Sequence, residues 1–151
     1  MHNQFLEYVY ARNIQQKKKL EVFLSDKDIK KDLIEFFIGY STYMKSTGIT
    51  VEDLGDAYLQ LVADMCYARL EFVRHGKYPK NNQAEALSDV YNDKEVMTRY
   101  MLGLALSQFL WRQHYSLFQF YRREVRKLNF CEGDHALEVG CGHGLFLREL
   151  L

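Results

Sequence analysis

The chain has 151 residues, of which 48% are hydrophobic, so one domain with a sizeable core is expected. Its 20 basic residues balance its 20 acidic residues, and this zero net charge gives no electrostatic reason to expect nucleic acid or an anionic membrane as a partner. Proline occurs once, and the three cysteines form an odd set without paired spacing, so the composition favours helices without disulfides in a reducing, cytoplasmic compartment.

The first 130 residues carry apolar side chains at helical spacing almost throughout, so the chain is expected to be mainly α. A first helix is predicted near residues 3–24. A second helix begins with Ser25 as its N-cap, because a serine hydroxyl accepts a hydrogen bond from an unpaired N–H of the first turn. It is expected to end at Gly48, since glycine commonly follows the last residue of a helix.

Capping residues also predict the bounds of the third helix. Thr50 stands at its start, and Asp53 three residues later completes a capping pattern. The helix is expected to run to His75 and to stop at Gly76. A short helix is then predicted over residues 83–91.

The longest helix is predicted from Asn92 or Asp93 to about Leu128. Between Tyr100 and Trp111 it is apolar on nearly all sides, which is typical of a helix at the centre of a fold. This block of 12 residues is shorter than the roughly 20 apolar residues that a membrane-spanning helix needs, so no membrane partner is expected.

One face of this helix carries the candidate catalytic residues. Trp111, His114, Tyr115 and Phe118 stand at positions i, i+3, i+4 and i+7 and therefore share that face. If the face lines a substrate pocket, His114 or Tyr115 can orient a nucleophile or act as a base. The alternative is that all four side chains pack in an aromatic-rich core, with the histidine paired to a neighbour.

The hydrophobic spacing changes after Leu128. Apolar residues at Ala136, Leu137 and Val139 predict a short buried strand, and the stretch GCGHGLFLREL that follows predicts a glycine-rich turn and the start of a helix. A strand cannot pair its own backbone groups, so partner strands are expected elsewhere in the protein. Glycines in such a turn let a ligand approach the backbone, and the N–H groups at the start of the helix point toward that ligand.

The spacing of the glycines distinguishes between two kinds of nucleotide ligand. A dinucleotide fingerprint has the spacing G-x-G-x-x-G, whereas Gly140, Gly142 and Gly144 are spaced G-x-G-x-G. Glu138 stands two residues before the first glycine, where its carboxylate repels a pyrophosphate and suits a cationic group. Both features disfavour a dinucleotide as the ligand.

The stretch EVGCGHG resembles the first motif of class I, Rossmann-like S-adenosylmethionine-dependent methyltransferases, in which an apolar strand precedes an acidic residue and G-x-G-x-G. The resemblance implies that the loop wraps the methionine and ribose parts of S-adenosylmethionine. It also implies that the acidic residue positions the methionine end of this cofactor. The residues expected to bind the cofactor on this basis are Glu138, Gly140, Cys141, Gly142 and Gly144.

The resemblance covers only about residues 134–151 and divides the chain into two regions. Residues 1–130 are expected to form an N-terminal helical bundle on the substrate side. Residues 131–151 are expected to form the first strand, loop and helix of a truncated Rossmann-like α/β methyltransferase domain. The chain is thus predicted to be the N-terminal part of an enzyme that methylates a small molecule, and to be inactive as this fragment.

Two other interpretations fit parts of the sequence. In the first, the helices form a homo-oligomeric interaction module through their aromatic faces, and the glycine loop is vestigial. In the second, four residues spaced C-x3-H-x5-C-x-H bind zinc, but this spacing matches no familiar zinc motif, so no metal is predicted. The four residues of that pattern are Cys131, His135, Cys141 and His143.

Overall fold

A computed structural model of the protein describes residues 1–79 and 92–150, and its regular secondary structure in these ranges is helical. The helices are α1 (His2–Arg12), α2 (Ile14–Phe23), α3 (Lys27–Thr47), α4 (Val51–His75), α5 (Lys94–Leu110), α6 (Arg112–Val125) and α7 (Leu145–Arg148). The helix predicted over residues 83–91 lies outside the described residues. Within residues 1–79 and 92–150, no helix combines the length and apolar character needed to cross a bilayer.

The prediction of a single helix over residues 3–24 is wrong, because the helix is interrupted at Asn13. This residue has an extended backbone with φ −145°, and its side-chain oxygen accepts hydrogen bonds from the N–H groups of Gln15 and Gln16 at 3.1 and 3.0 Å. Asn13 is therefore the N-cap of α2. The break turns α2 back so that Leu20 and Phe23 join the core.

The predicted N-cap of the next helix is displaced by one residue. Asp26, and not Ser25, caps α3, since its carboxylate accepts hydrogen bonds from the N–H groups of Asp28 and Ile29 at 2.9 and 3.4 Å. The hydroxyl of Ser25 instead donates to the carbonyl of Val22 at the end of α2. A carboxylate is favoured at this position because it also complements the positive end of the helix dipole.

Both ends of α4 lie where the sequence predicts them. Thr50 and Asp53 form a reciprocal capping box, in which the Asp53 N–H donates to the Thr50 hydroxyl and the Thr50 N–H donates to the Asp53 carboxylate. The hydrogen bond from the Thr50 backbone is the main reason that the pKa of Asp53 is lowered. Gly76 ends the helix with a left-handed φ of 67°, and Gly48 ends α3 in the same way.

The central position predicted for the apolar helix is confirmed, but its predicted length is wrong. Residues 105–110 of α5 are all buried, and α5 contacts α3, α4 and α6. The helix ends at Leu110 because Trp111 adopts an extended backbone with φ −117° and ψ 126°, and α6 begins beyond it. The indole N–H of Trp111 donates to the buried hydroxyl of Tyr58 at 3.3 Å, so a contact with α4 stabilises the break.

Aromatic rings from five helices form one continuous series through the core. Neighbouring rings in the series have centroids 4.8–5.6 Å apart, the range in which edge-to-face and offset contacts are favourable. The series starts on α1 and ends on α7, so it connects the helical bundle to the glycine-rich segment. In spatial order its members are Phe5, Phe37, Phe36, Phe109, Phe118 and Phe146.

The strand predicted at Ala136, Leu137 and Val139 is not formed in the described residues. Leu137 and Val139 are 89% and 88% exposed, and the segment follows an irregular path to the glycine turn. A strand forms only where a neighbouring strand pairs its backbone groups, and the described residues contain no such neighbour. Of the predicted strand, loop and helix, the structure contains the glycine turn and the short helix α7. Leu145 of α7 is buried against the bundle.

Candidate functional site

The glycine loop is a compact turn that only glycines can form without strain. Gly140, Gly142 and Gly144 all have left-handed backbones, with φ of 76°, 51° and 72°. The N–H of Gly144 donates to the carbonyl of Cys141 at 2.7 Å and closes the turn. A Cβ placed on Gly142 would lie 3.9 Å from the sulfur of Met101, so the loop rests beside α5.

His143 anchors the loop to α7. Its Nδ1 accepts a hydrogen bond from the N–H of Leu145 at 3.1 Å, and its ring lies parallel to that of Phe146 at 5.8 Å. Burial, helped by the nearby His114, lowers the pKa of His143 from its ordinary value, so the ring is neutral near pH 7. Because Nδ1 is an acceptor, the proton of the neutral ring resides on Nε2, and His143 offers a donor there.

Glu138 carries an unsatisfied acceptor at the entrance of the loop. Its Oε2 atom is buried and has no hydrogen-bond partner among the described residues. The pKa of nearby Tyr121 is raised, first by burial and then by the negative charge of Glu138, so this phenol stays protonated. A buried carboxylate oxygen without a donor is unfavourable, and a ligand that brought an N–H or a positive charge would relieve it.

A cleft of about 410 Å³ opens between the loop, α3 and α5. His143 forms its loop side, Tyr40 and Tyr43 come from α3, and Met97 and Met101 come from α5. Burial raises the pKa of Tyr40 to about 12, so this residue presents a neutral aromatic ring. The volume lies in the range of small-molecule sites, and Lys94 also lines the cleft, beside the aromatic rings and the two methionines.

No family model, curated protein or solved structure matches this chain. The candidate site is therefore identified from the structure of this chain alone. They are the glycine loop, the unsatisfied oxygen of Glu138, and the cleft that His143 lines.

The candidate base His114 lies outside the lining of this cleft and is held by Ser107. The Ser107 hydroxyl donates to the Leu104 carbonyl at 2.6 Å, so its oxygen is left to accept from Nδ1 of His114 at 2.8 Å. Burial lowers the pKa of His114, which keeps the ring neutral near pH 7. The bond joins α5 to α6 across the break at Trp111, and His114 thereby stabilises the angle between the two helices.

Tyr115 also lies outside the cleft lining, in a polar network between α3, α6 and α7. Its hydroxyl donates to Asp32 at 2.8 Å, and Arg122 bridges Asp32 and Glu149 at 3.3 and 3.0 Å. Gln119 donates to the same oxygen of Asp32 at 2.6 Å. Burial, and then the hydrogen bond to the carboxylate, raise the pKa of Tyr115 well above its ordinary value, so the phenol keeps its proton.

The cysteines and the remaining histidine of the zinc pattern do not form a cluster. All three cysteines of the chain are free and exposed, and His135 is exposed as well. Across residues 1–79 and 92–150, the structure contains no group of three or more His, Cys, Asp or Glu side chains able to hold a metal ion. Cys141 stands in the loop itself, between Gly140 and Gly142.

Sequence reasoning did not place the cleft-lining residues in a site. Tyr40, Tyr43, Met97 and Met101 carry no motif, and only the packing of α3 against α5 brings them together. His143 stands within the glycine motif, but the sequence pattern connects it only with the zinc alternative. The backbone N–H of Leu145, two residues further along the chain, explains its orientation.

Lowering the pH below about 6.5 is expected to destabilise the protein, because burial lowers the pKa values of His114 and His143 below that ordinary value. In this range the unfolded chain binds more protons than the folded chain, so stability falls until the pH passes the lowered pKa values. Urea unfolding at about pH 7.5 and about pH 5.5 measures the effect. The double variant His114→Gln/His143→Gln is expected to reduce the dependence to the part that His2 contributes, since burial also lowers the pKa of His2. The exposed His135→Gln is expected to retain the full dependence. A double variant with the full dependence would contradict this assignment.

Proposed function

We propose that the glycine loop is part of the S-adenosylmethionine site of a class I methyltransferase that acts on a small molecule. The observation that carries the proposal is the buried, unsatisfied Oε2 of Glu138 at the head of a turn built from three left-handed glycines. The apolar side chains of Leu137 and Val139 are almost fully exposed just before that turn, and burial in a Rossmann-like sheet would stabilise them. The residues present therefore fit the cofactor that the motif suggests.

Each part of the site has a role in binding the cofactor under this proposal. Glu138 accepts from the ammonium group of the methionine end, which supplies the missing donor. The backbone of Gly140, Cys141, Gly142 and Gly144 admits the ribose without the obstruction of a Cβ. When bound, S-adenosylmethionine supplies an electrophilic methyl group for in-line transfer to a nucleophile.

The cleft beside the loop is the proposed place of the methyl acceptor. Tyr40 and Tyr43, whose ring centroids are 5.0 Å apart, provide an aromatic surface against which an apolar part of the acceptor can pack. His143 provides an Nε2–H donor, so it would hold an acceptor atom of the substrate and would not remove its proton. The contribution of these residues to rate is proximity and alignment.

The loop proposal predicts that Gly140→Ala weakens the binding of S-adenosylmethionine by about tenfold or more, whereas Gly48→Ala leaves it unchanged. The two glycines are matched, because their φ angles are 76° and 74° and a Cβ on either one meets no atom within 4 Å. Each substitution is expected to cost about 1–2 kcal/mol of stability through left-handed backbone strain. Isothermal titration of S-adenosylmethionine into the complete gene product measures the affinity. Thermal unfolding of the same variants measures the loss of stability.

Two results would overturn the proposal. One is the absence of S-adenosylmethionine binding by the unsubstituted protein, and the other is an equal loss of affinity in Gly140→Ala and Gly48→Ala. Sedimentation of the same samples addresses the alternative function. A dimer that binds no methyl donor would favour the homo-oligomeric interaction module.

A further inference from the structure

A second concave surface lies between α2, the middle of α4, and the junction of α5 with α6. It is a groove of about 700 Å³, and we call it the basic groove. Its floor is apolar and consists of Leu20, Phe23, Val62, Leu110 and Trp111. Four of these five side chains are buried in the core and Trp111 is half-buried, so the floor is held in place by the core. The exposed side chains of Val22 and Met65 also line the groove and add accessible apolar surface.

Basic side chains from three helices lie along the rim of the basic groove. Lys18 and Lys19 come from α2, Arg69 comes from α4, and Arg112 begins α6, and no acidic residue is among the described residues that line the groove. In the described part of the chain, none of the four lies within 4.0 Å of a carboxylate oxygen. The guanidinium of Arg112 lies 5.5 Å from the centre of the Phe23 ring, which positions it where the rim meets the floor.

A buried hydrogen-bonded chain holds the wall of the groove. The Trp111 indole donates to the hydroxyl of Tyr58 at 3.3 Å, and this hydroxyl donates to Oε1 of Gln16 at 2.8 Å. This hydrogen bond uses one of the two lone pairs of the buried Gln16 amide oxygen, and the amide nitrogen keeps its N–H donors. Donors, cations and apolar surface together match a ligand with a negatively charged head and an apolar tail.

We propose that the basic groove binds a single-chain amphipathic anion, such as a medium-chain fatty carboxylate. The apolar floor would cover the tail, and Lys18, Lys19, Arg69 and Arg112 would surround the head group. Four cations on one groove, with no carboxylate oxygen within 4.0 Å among the described residues, favour an anion over a neutral ligand of the same shape. The groove lies apart from the glycine loop, and the proposal stands independently of the methyltransferase function.

Decanoate is the probe for this proposal, and Trp111 is the reporter. The chain has a single tryptophan, which forms part of the groove floor, so its fluorescence reports on this groove directly. Decanoate is expected to change the emission in a saturable manner that weakens as salt is added. Decanol, which has the tail without the charge, and inorganic phosphate, which has charge without a tail, are each expected to bind about tenfold or more weakly.

Charge variants test whether decanoate binding depends on the cations of the groove and not on surface charge in general. The double variant Lys18→Gln/Arg69→Gln is expected to weaken decanoate binding by about tenfold, while the control Lys30→Gln/Lys45→Gln leaves it unchanged. All four residues are exposed, so each variant is expected to fold, and its thermal unfolding verifies this.

Four outcomes would overturn the proposal. Equal binding of decanol would indicate a groove for neutral apolar ligands, and equal binding of phosphate would indicate a simple anion site. Cosedimentation with phosphatidylglycerol vesicles in the absence of any decanoate effect would indicate a membrane-facing surface. Equal affinity of the two double variants for decanoate would show that Lys18 and Arg69 do not bind its head group.

Discussion

Replacement of Gly103 with valine is expected to lower the free energy of unfolding by about 3 kcal/mol. A Cβ at this position would lie 2.7 Å from the carbonyl oxygen of Ala57 and 3.0 Å from the Cβ of Leu61, both on α4. The carbonyl belongs to a helix backbone and cannot rotate away, so α4 and α5 would have to separate. This contact lies at the centre of the fold, and the shift would spread to the helices that pack on either side.

Gly39→Val is the matched control for Gly103→Val. Gly39 is also inside a helix, but a Cβ there would meet only the mobile end of Arg148 at 3.7 Å. The control is therefore expected to change stability by less than about 1 kcal/mol. Urea unfolding of the two variants beside the unsubstituted protein measures the difference, and similar stabilities of both variants would show that α4 and α5 do not approach closely at Gly103.

Phe36→Ala is expected to be the more destabilising substitution, by about 4 kcal/mol. Phe36 is 1% exposed, and its ring centroid lies 4.8 Å from those of Tyr40 and Phe109 and 5.5 Å from that of Phe37. Truncation removes these contacts and leaves a cavity that rigid helices fill incompletely. Since proteins of this size are stable by about 5–15 kcal/mol, the loss is a large fraction of the total.

The position of Phe36 adds a consequence for the candidate site. Tyr40 stacks on the Phe36 ring and lines the cleft beside the glycine loop, so the cavity is expected to loosen one wall of that cleft. Phe36→Leu keeps most of the volume and is expected to cost about 1 kcal/mol, and the half-exposed Phe120→Ala is expected to cost less than that. Calorimetric unfolding of the three variants provides the comparison. A small effect of Phe36→Ala would contradict the central place of this ring in the core.

Most signals that act within about four residues predict the corresponding structure correctly, although the N-cap of α3 is Asp26 and not the predicted Ser25. The capping box of Thr50 and Asp53 and the glycine ends at Gly48 and Gly76 form between neighbours in the chain. Their hydrogen bonds and backbone angles depend on local residues, so the printed sequence contains nearly all the information needed. The break at Asn13 belongs to the same class, since its side chain caps the two residues that follow, although helical spacing on both sides obscured it.

Features that depend on contacts between residues far apart in the chain could not be predicted from the sequence. The helix α5 ends at Leu110 without glycine or proline, and the indole of the next residue, Trp111, donates to Tyr58, 53 positions away. The polar network that holds Tyr115 joins it to Asp32 over 83 positions. Helical spacing places such residues on a common face, but it does not specify which element that face meets.

The sequence by itself determined that this protein is mainly helical, that its most apolar helix lies at the centre, and that three glycines form a tight turn after Val139. These properties follow from side-chain volume, burial of apolar surface and local backbone freedom. Only the tertiary structure decided that the turn lies beside a cleft formed by α3 and α5, and that cations from three elements surround an apolar groove. The physical reason is that a site requires several segments to converge, and convergence is a property of packing between helices.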